Sequence, residues 1–311
     1  FRGVTRREGL LLRGQAGWGE AAPFWNYDDV ESSRWLAAAL ESARRFPPVA
    51  RRKFVPVNVT IPVVSPEDAH ERVIASGGCA TAKIKVAEPG VSVGRDCGRI
   101  CAVADALRAT VGSQAKIRVD ANGAWEVDEA CAAIPAMAKA AGSVPIEYVE
   151  QPCLTVDELA AVRRRVDVPI AADESIRRAH DPMEVARKQA ADVVIIKVAP
   201  LGGVRAALRV ARKSGLGVVV SSALETSVGL SVGVAAAAAV PGPSRAAGLA
   251  TASLLVGDVT EPLVPERGRL PVERREPDRE LIDRTPVDGD LIARWGMRLE
   301  GMAEHLGAAS R

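Results

Sequence analysis

From about residue 53 the chain alternates between short β-branched runs and Ala-rich amphipathic runs, and this alternation most constrains its fold. Strands that alternate with helices pair in parallel through right-handed crossovers, so the pattern predicts an α/β fold. The predicted strands cover residues 53–62, 81–86, 115–120, 146–150, 169–174, 192–198 and 217–222, with a weaker eighth at 252–257. The predicted helices between them cover 66–77, 91–111, 126–141, 155–165, 181–190, 202–214 and 225–239.

This series of units predicts a TIM-like (β/α)7β barrel over residues 53–257. The alternative is an open, doubly wound sheet, which needs a glycine-rich phosphate loop after its first strand. The segment "TIPVVSP" stands at that place and contains no glycine. Ser65 before Pro66 and Asp181 before Pro182 are predicted to be N-caps that precede a proline in the first helical position.

Residues 1–52 and 258–311 do not follow the alternation. The first segment has a strand-like run and a Gly/aromatic turn, "LLLRGQAGWGEAAPF", and then a predicted helix at 30–45. The second is rich in Pro and charge up to a final amphipathic helix at 289–306. We therefore predict that both termini build one α+β capping domain beside the barrel.

Composition argues against several classes of protein. A net charge of +2 gives no reason to expect a nucleic-acid partner, and no apolar run has the length and purity of a membrane span. The five cysteines are scattered, which argues against a disulfide framework and is typical of a reduced, cytoplasmic protein. With three histidines and no paired ligands, a zinc site is not expected. Oligomeric state is left open.

Charged residues stand at the carboxyl ends of the predicted strands, where barrels of this type place their active sites. Asp120, Glu150 and Asp173 end three successive strands. Because neighbouring strands lie about 4.8 Å apart, these carboxylates should converge and need a compensating cation. Hard oxygen ligands without His or Cys favour Mg²⁺, an ion that Mn²⁺ can replace.

Lysines stand on either side of this predicted metal site. The segment "TAKIKV" places Lys83 and Lys85 on one face of the second strand, and Lys197 ends the sixth. Lysines beside a cation and beside each other should have lowered pKa values, and Lys83 is predicted to tune Lys85 in this way. Such a lysine can remove a proton next to a carboxylate while a metal holds the charge that develops.

Each of these residues has a simpler explanation when it is considered alone. A single acid after a strand is often an N-cap, and a Lys-x-Lys pair often belongs to a half-exposed strand. The functional interpretation is favoured by the order K-x-K, D-x-N, E-Q, D-E and K at successive strand ends. The alternative from another class is a barrel that has lost catalysis, which we would expect to lack one of these residues.

The same segments resemble the barrel motifs of the muconate-lactonizing-enzyme subgroup of the enolase superfamily. The resemblance is carried by "AKIKV", "RVDANGAW", "YVEQPC", "IAADESI" and "VVIIKVAPLGG", and by "GWGEAAP" in the first segment. It implies that the three acids are metal ligands and that Lys85 and Lys197 are the catalytic pair flanking the substrate carbon. It also implies supporting roles for Asn122 and Lys83, and a small-molecule carboxylate as substrate.

The subgroup contains muconate cycloisomerases, dipeptide epimerases, N-acylamino acid racemases and o-succinylbenzoate synthases. The segment "SSALETSVGL" at 221–230 resembles that of the synthases, whereas the other groups tend to begin it with glycine. The resemblance thus implies syn-dehydration of a succinyl-bearing hydroxycyclohexadiene carboxylate through an enediolate, in menaquinone biosynthesis. Lys85 would be general base and acid, and Lys197 a charge stabiliser. Ser221 and Ser222 are predicted to support substrate binding, with a helix N-cap as the alternative for Ser222.

Proton transfer on an N-acylamino acid or a dipeptide stays open at this point. Racemisation needs a base on each face of the substrate, and Lys85 and Lys197 supply both. Dipeptide epimerases often carry an Asp-x-Asp motif near the eighth strand, where this chain has the single Asp258, so epimerisation is the less favoured of the two.

Overall fold

The computed structural model describes residues 4–179, 181–285 and 287–306, so the outer ends of both predicted cap segments lie outside the described residues. Its strands are β1 (Leu10–Gly14), β2 (Gly17–Ala21), β3 (Phe54–Pro56), β4 (Asn58–Ile61), β5 (Thr81–Lys85), β6 (Lys116–Asp120), β7 (Ile146–Glu150), β8 (Ile170–Ala172), β9 (Val193–Lys197), β10 (Gly217–Ser221) and β11 (Arg269–Pro271). Its helices are α1 (Asp29–Arg44), α2 (Pro66–Ile74), α3 (Val93–Val111), α4 (Val127–Ala141), α5 (Val156–Arg163), α6 (Glu174–Arg177), α7 (Glu184–Arg187), α8 (Val204–Ser214), α9 (Ser227–Ala239), α10 (Arg279–Asp283) and α11 (Gly289–Glu304).

The strands from β4 to β10 form one parallel sheet in chain order. Ala247 bridges to Val57 beside β4, and Gly248 bridges to Ser221 of β10, so one short extended segment joins both edges. The predicted barrel is confirmed, but its eighth strand is not at 252–257, because Ala252–Leu254 forms a 3₁₀ helix. Single bridges carry no alternation of side chains, so the sequence pattern could not reveal where the barrel closes.

Two other predicted elements differ from the structure. The predicted strand 53–62 is divided into β3, which pairs antiparallel with β11, and β4, which joins the barrel. Pro56 ends β3, and a proline has no N–H to donate to a continuous ladder. The predicted helix 181–190 is reduced to α7, and Asp181 accepts a hydrogen bond from the Met183 N–H instead of starting a helix at Pro182.

Local capping explains where several helices begin. Ser65 accepts from the backbone N–H of Asp68 and precedes Pro66, so the predicted N-cap of α2 is confirmed. Helix α5 begins with a capping box between Thr155 and Glu158. Helix α9 is almost entirely buried, since its small side chains let it pack closely on β10, β2 and β3. None of the described helices combines the length and apolar character that crossing a membrane requires.

Both termini build the cap, as predicted. Strands β1 and β2 form an antiparallel hairpin on which α1 packs, and α11 packs on α1 through a cluster that includes Leu36, Trp295 and Met302. Gly19 is needed for this packing, because a Cβ at that position would lie 2.0 Å from the carbonyl oxygen of Ala39. The domain boundaries at residues 52 and 257 stay predictions.

The barrel core makes a stability prediction. Leu107 of α3 is 0% exposed within the main hydrophobic cluster. Leu107→Ala should lower the free energy of unfolding by about 3 kcal/mol, because it removes buried methyl groups and leaves a cavity. Urea unfolding measures this change. Leu154→Ala is the control, since Leu154 is 71% exposed and its truncation should cost less than about 0.5 kcal/mol. Equal losses in both variants would contradict this packing.

Candidate active site

The carboxyl ends of the barrel strands bring the predicted acids and lysines together. Lys85 of β5 is opposite Asp120 of β6 in the ladder, and Asp120 is opposite Glu150 of β7. Asp173 directly follows β8, and Lys197 is the last residue of β9. All five residues are buried, and the three acids are 0% exposed. Each of the three acids therefore lies in contact with a lysine, Glu150 with Lys83, Asp120 with Lys85 and Asp173 with Lys197.

Two lysines of β5 bind two of the acids. The Lys83 Nζ donates to Glu150 Oε1 at 2.9 Å and lies 3.0 Å from Asp120 Oδ2. The Lys85 Nζ donates to the same Asp120 oxygen and to Asn122 Oδ1, the latter at 2.8 Å. Asn122 therefore contacts the Lys85 amine directly, and its supporting role in catalysis stays a prediction.

The third acid is held from β9 and from α6. The Lys197 Nζ donates to Asp173 Oδ2 at 2.6 Å, and the Arg177 Nε donates to Asp173 Oδ1 at 3.2 Å. Arg177 also donates to the hydroxyl of Tyr27, a residue of the cap. One guanidinium thus links an acid of the barrel mouth to the capping domain.

The two lysines of β5 differ in the direction of their pKa shifts. Burial lowers the pKa of Lys85, and the neighbouring Lys83 charge lowers it further, against the attraction of Asp120. Burial also opposes the charge on Lys83, but Glu150 and Asp120 face it and hold its pKa well above the usual value. The lowered pKa predicted for Lys85 is confirmed. The lowered pKa predicted for Lys83 itself is wrong, because that ammonium lies between two carboxylates, although its charge does lower the pKa of Lys85 as predicted.

The acids also differ among themselves. Burial raises the pKa of Glu150 to about 7, and the negative charge of Asp120 adds to that rise. Burial acts in the same direction on Asp120, but Lys85 and Lys83 hold the pKa of that carboxyl below its usual range. The ionised form of Glu150 is therefore disfavoured at this position even with Lys83 in contact.

The donor set at these strand ends fits a hard divalent cation, although the carboxylates are engaged by ammonium groups. Among residues 4–179, 181–285 and 287–306, no three His, Cys, Asp or Glu side chains are arranged around a common metal position. Asp120, Glu150 and Asp173 are nevertheless buried oxygen donors on adjacent strands, and Glu150 has the raised pKa described above. The magnesium site at these residues stays a prediction.

A cavity of about 170 Å³ lies beside this network. Its lining includes the predicted residues Lys83, Lys85, Asn122, Lys197, Ser221 and Ser222. It also includes Phe24 of the cap, and residues that the sequence did not single out, namely Val4, Thr60, Arg177, Ala223, Leu224, Gly248 and Thr251. Strands β5 and β9 take the second and sixth positions in the barrel, so Lys85 and Lys197 reach the cavity from opposite sides.

The two predicted serines reach the cavity but do not begin a helix. The Ser221 hydroxyl donates to the carbonyl oxygen of Gly248 at 3.3 Å, and the Ser222 and Thr251 hydroxyl oxygens are 2.8 Å apart. The N-cap of α9 is Thr226, so the alternative of an N-cap role for Ser222 is wrong. Their part in substrate binding stays a prediction.

Gln151 is a buried positioning residue. The sequence analysis included it in the pattern of strand ends but predicted no role for it. Its Oε1 accepts from the backbone N–H groups of Asp173 at 3.0 Å and Ser175 at 3.2 Å. Its Nε2 donates to the Ser175 hydroxyl at 2.8 Å. Gln151 thereby fixes the turn that contains Asp173. No local sequence pattern indicates this contact, because the two residues lie on different strand ends.

Four non-glycine residues with positive φ follow barrel strands at this same end. They are Ala87 (57°), Asn122 (50°), Gln151 (40°) and Leu224 (62°). Side chains rarely adopt this left-handed conformation, and its strain is typically retained where function requires an exact backbone course. The concentration of these residues at the barrel mouth supports an active site there.

The chain belongs to the enolase superfamily. Residues 66–277 match the family described as enolase C-terminal domain-like, and residues 1–43 match the family described as enolase N-terminal domain-like.

Within that superfamily the chain is most usefully compared with o-succinylbenzoate synthases. The o-succinylbenzoate synthase of Thermobifida fusca is 54% identical over 96% of this chain and 91% of its own length. That of Mycolicibacterium smegmatis is 51% identical over 89% of this chain and 84% of its own length.

Solved structures share the fold. A muconate lactonizing enzyme from Pseudomonas fluorescens, solved with muconolactone, has a TM-score of 0.65 and 26% identity, over 76% of this chain and 65% of that one. The L-Ala-D/L-Glu epimerase of Bacillus subtilis, with a TM-score of 0.68 and 23% identity over 88% of this chain and 97% of that one, shares the fold.

Proposed function

We propose that this chain is a magnesium-dependent lyase with o-succinylbenzoate synthase activity. The reaction is the syn-dehydration of 2-succinyl-6-hydroxy-2,4-cyclohexadiene-1-carboxylate to 2-succinylbenzoate. Curated relatives of that activity are 50–54% identical over most of the chain. The observation that carries the proposal is the pair Lys85 and Lys197, which face one cavity from opposite sides beside three buried carboxylates.

Lys85 is the general base in this proposal. Its pKa is lowered by burial and by Lys83, so a neutral amine is more accessible at Lys85 than at an ordinary lysine. The neutral Nζ takes the proton from the carbon that bears the substrate carboxylate. Asn122 accepts a hydrogen bond from Lys85, which holds the amine in place for this transfer.

The same residue completes the elimination. The electrons left by the C–H bond form an enediolate, and the Lys85 ammonium then donates its proton to the departing hydroxyl on the same face. The C–O bond breaks, water leaves, and the ring becomes aromatic. A divalent ion held by Asp120, Glu150 and Asp173 supplies positive charge near the substrate carboxylate when it is bound. Mg²⁺ suits this oxygen set, and Mn²⁺ is the expected substitute.

Lys197 stabilises the developing negative charge from the opposite side of the cavity. Its Nζ is 2.6 Å from Asp173 Oδ2, and this contact holds the ammonium at the carboxyl end of β9. A cation over the face of the substrate ring also attracts the π electrons of the forming aromatic system.

Racemisation of an N-acylamino acid is the second candidate, because opposed lysines can exchange protons on both faces of one carbon. Dipeptide epimerisation has less support. Asp258, the acid considered for binding a substrate amine, accepts from the Ser227 N–H at 3.0 Å and from the Ser227 hydroxyl at 2.6 Å. The Asp258 carboxylate therefore already binds the start of α9 and is not free to bind a substrate amine.

An assay with two substrate classes tests the proposed function. The purified protein with Mg²⁺ should convert the cyclohexadiene carboxylate to the aromatic product, followed by its absorbance. Deuterium exchange at the α-carbon of N-succinyl amino acids in D₂O should be slower, because that reaction lacks the driving force of aromatisation. Exchange without dehydration would show that the chain is a racemase instead.

The proposal places this reaction in menaquinone biosynthesis in the cytoplasm. The five cysteines are free thiols, which supports a reducing compartment. The partner is a small-molecule carboxylate, and neither nucleic acid nor membrane enters the proposed reaction.

A further inference from the structure

Glu20 of the cap reaches across to the beginning of α9 in the barrel. Glu20 is buried, with 8% of its surface exposed. Glu20 Oε1 accepts from the Thr226 backbone N–H at 3.0 Å, while Oε2 accepts from the Thr226 hydroxyl and, at 3.0 Å, from the Gly229 N–H. One carboxylate therefore serves three donors at the start of a helix that lies in the other half of the molecule.

At the start of helix α9, Glu20 accepts a hydrogen bond that the N-cap side chain does not. Thr226 makes no side-chain bond to a helical N–H and donates its hydroxyl to Glu20 instead. Gly229 leaves room for the carboxylate, since a Cβ there would lie 2.8 Å from Glu20 Oε2 and 2.7 Å from the Cβ of Glu225. The first turn of α9 is thus shaped to receive Glu20.

The segment before α9, residues 222–226, borders the active-site cavity. Ser222 and Leu224 line that cavity, and Leu224 has a φ of 62°. Arg7, from the chain before β1, donates to the carbonyl oxygens of Leu224 at 3.1 Å and Ala223 at 3.4 Å. Residues of the cap therefore hold the segment at two places, Arg7 at its middle carbonyls and Glu20 at its last residue.

We propose that Glu20 is a positioning residue for the active site: it fixes segment 222–226, and with it Ser222, against the cavity. The inference rests on the proposed function for its kinetic readout. The part of the substrate that this segment would contact lies on the β10 side of the cavity, away from Lys85. Losing Glu20 should therefore weaken substrate binding more than it slows the chemical step.

The electrostatic setting supports a functional role over a purely structural one. Burial raises the pKa of Glu20 to about 7, and the charge of Glu225 adds to this effect, against the hydrogen bonds from Thr226 and Gly229. Arg7 is the cation that faces both acids. A buried carboxylate with a raised pKa is a costly way to stabilise a helix end, where a serine or threonine would serve.

Glu20→Gln tests the proposal, because glutamine keeps the shape but accepts through only one oxygen. We expect kcat/KM to fall about tenfold through a higher KM, as the loss of hydrogen bonds to a charged group implies. At pH 8 the melting temperature should also fall, because the start of α9 loses hydrogen bonds to a charged group, while stabilisation by Mg²⁺ should be that of the wild type.

Asp258→Asn is the matched control, because Asp258 accepts hydrogen bonds at the same helix start, from the N–H and the hydroxyl of Ser227. We expect it to lower the melting temperature while leaving KM within about twofold, the change expected of a lost N-cap interaction away from the cavity. Equal increases in KM for both variants, or an unchanged KM in Glu20→Gln, would overturn the proposal.

Hydrogen exchange separates a failure of this proposal from a failure of the proposed function, because it needs no turnover. Backbone amides of residues 222–226 should exchange faster in Glu20→Gln than in the wild type and in Asp258→Asn. Unchanged exchange in Glu20→Gln would show that Glu20 does not hold the segment, whatever reaction the protein catalyses.

Discussion

Lys85→Met should lower kcat for dehydration by at least about 10³-fold, because it removes both the base and the acid of the reaction. Methionine keeps the length and apolar stem of the side chain while it deletes the amine. Lys85→Arg should be almost as inactive, since a guanidinium with a pKa above about 12 does not supply a neutral base. Initial rates with the cyclohexadiene carboxylate at saturating Mg²⁺ measure both effects.

Lys139→Met is the matched control for this experiment. Lys139 lies on α4 and is exposed, so the same substitution there should leave kcat unchanged. Far-ultraviolet circular dichroism should show the wild-type fold in each variant. If Lys85→Met retained more than about a tenth of wild-type turnover, Lys85 would not be the general base, because a positioned base contributes at least about 10²-fold.

Glu150→Gln should abolish both Mg²⁺ binding and turnover. Glu150 is 0% exposed, and burial together with the charge of Asp120 raises its pKa, so a nearby cation would stabilise its ionised form. A neutral amide removes one anionic ligand from the predicted set, and hard divalent ions bind weakly without such ligands. Calorimetric titration with Mg²⁺ and initial rates measure the two losses, and kcat should fall by at least about 10³-fold.

Thermal unfolding gives the same prediction without substrate. Mg²⁺ at about 100 times its dissociation constant should stabilise the wild type by about 2.7 kcal/mol through mass action. Glu150→Gln should show no such shift, whereas the control Glu71→Gln, at an exposed position of α2, should behave as the wild type. Wild-type affinity for Mg²⁺ in Glu150→Gln would remove Glu150 from the metal site.

The barrel and its polar mouth could be predicted because their signals are local. Hydrophobic runs and their spacing identify parallel strands, and the residue that ends each strand is then known to within one or two positions. This is why Lys85, Asp120 and Glu150 could be placed side by side, and why the ladder shows them in one row. The closing segment at Ala247 and Gly248 was missed because two bridges have no periodicity.

Contacts between distant parts of the chain could not be predicted in the same way. The raised pKa of Lys83 depends on its side chain reaching Glu150, which no pattern in β5 contains. The contact of Arg177 with Tyr27, and that of Glu20 with Thr226, depend on how the cap is seated on the barrel. Only the spacing between Asp173 and Arg177, one helical turn, offered a local signal.

A crystal structure with Mn²⁺, located by its anomalous scattering, tests the account most directly. We predict one ion between Asp120, Glu150 and Asp173, at about 2.1 Å from carboxylate oxygens, with the Lys85 and Lys197 amines on opposite sides of the adjoining cavity. An ion found elsewhere, with Lys83 and Lys85 still bound to Glu150 and Asp120, would contradict the proposal that these acids form a metal site.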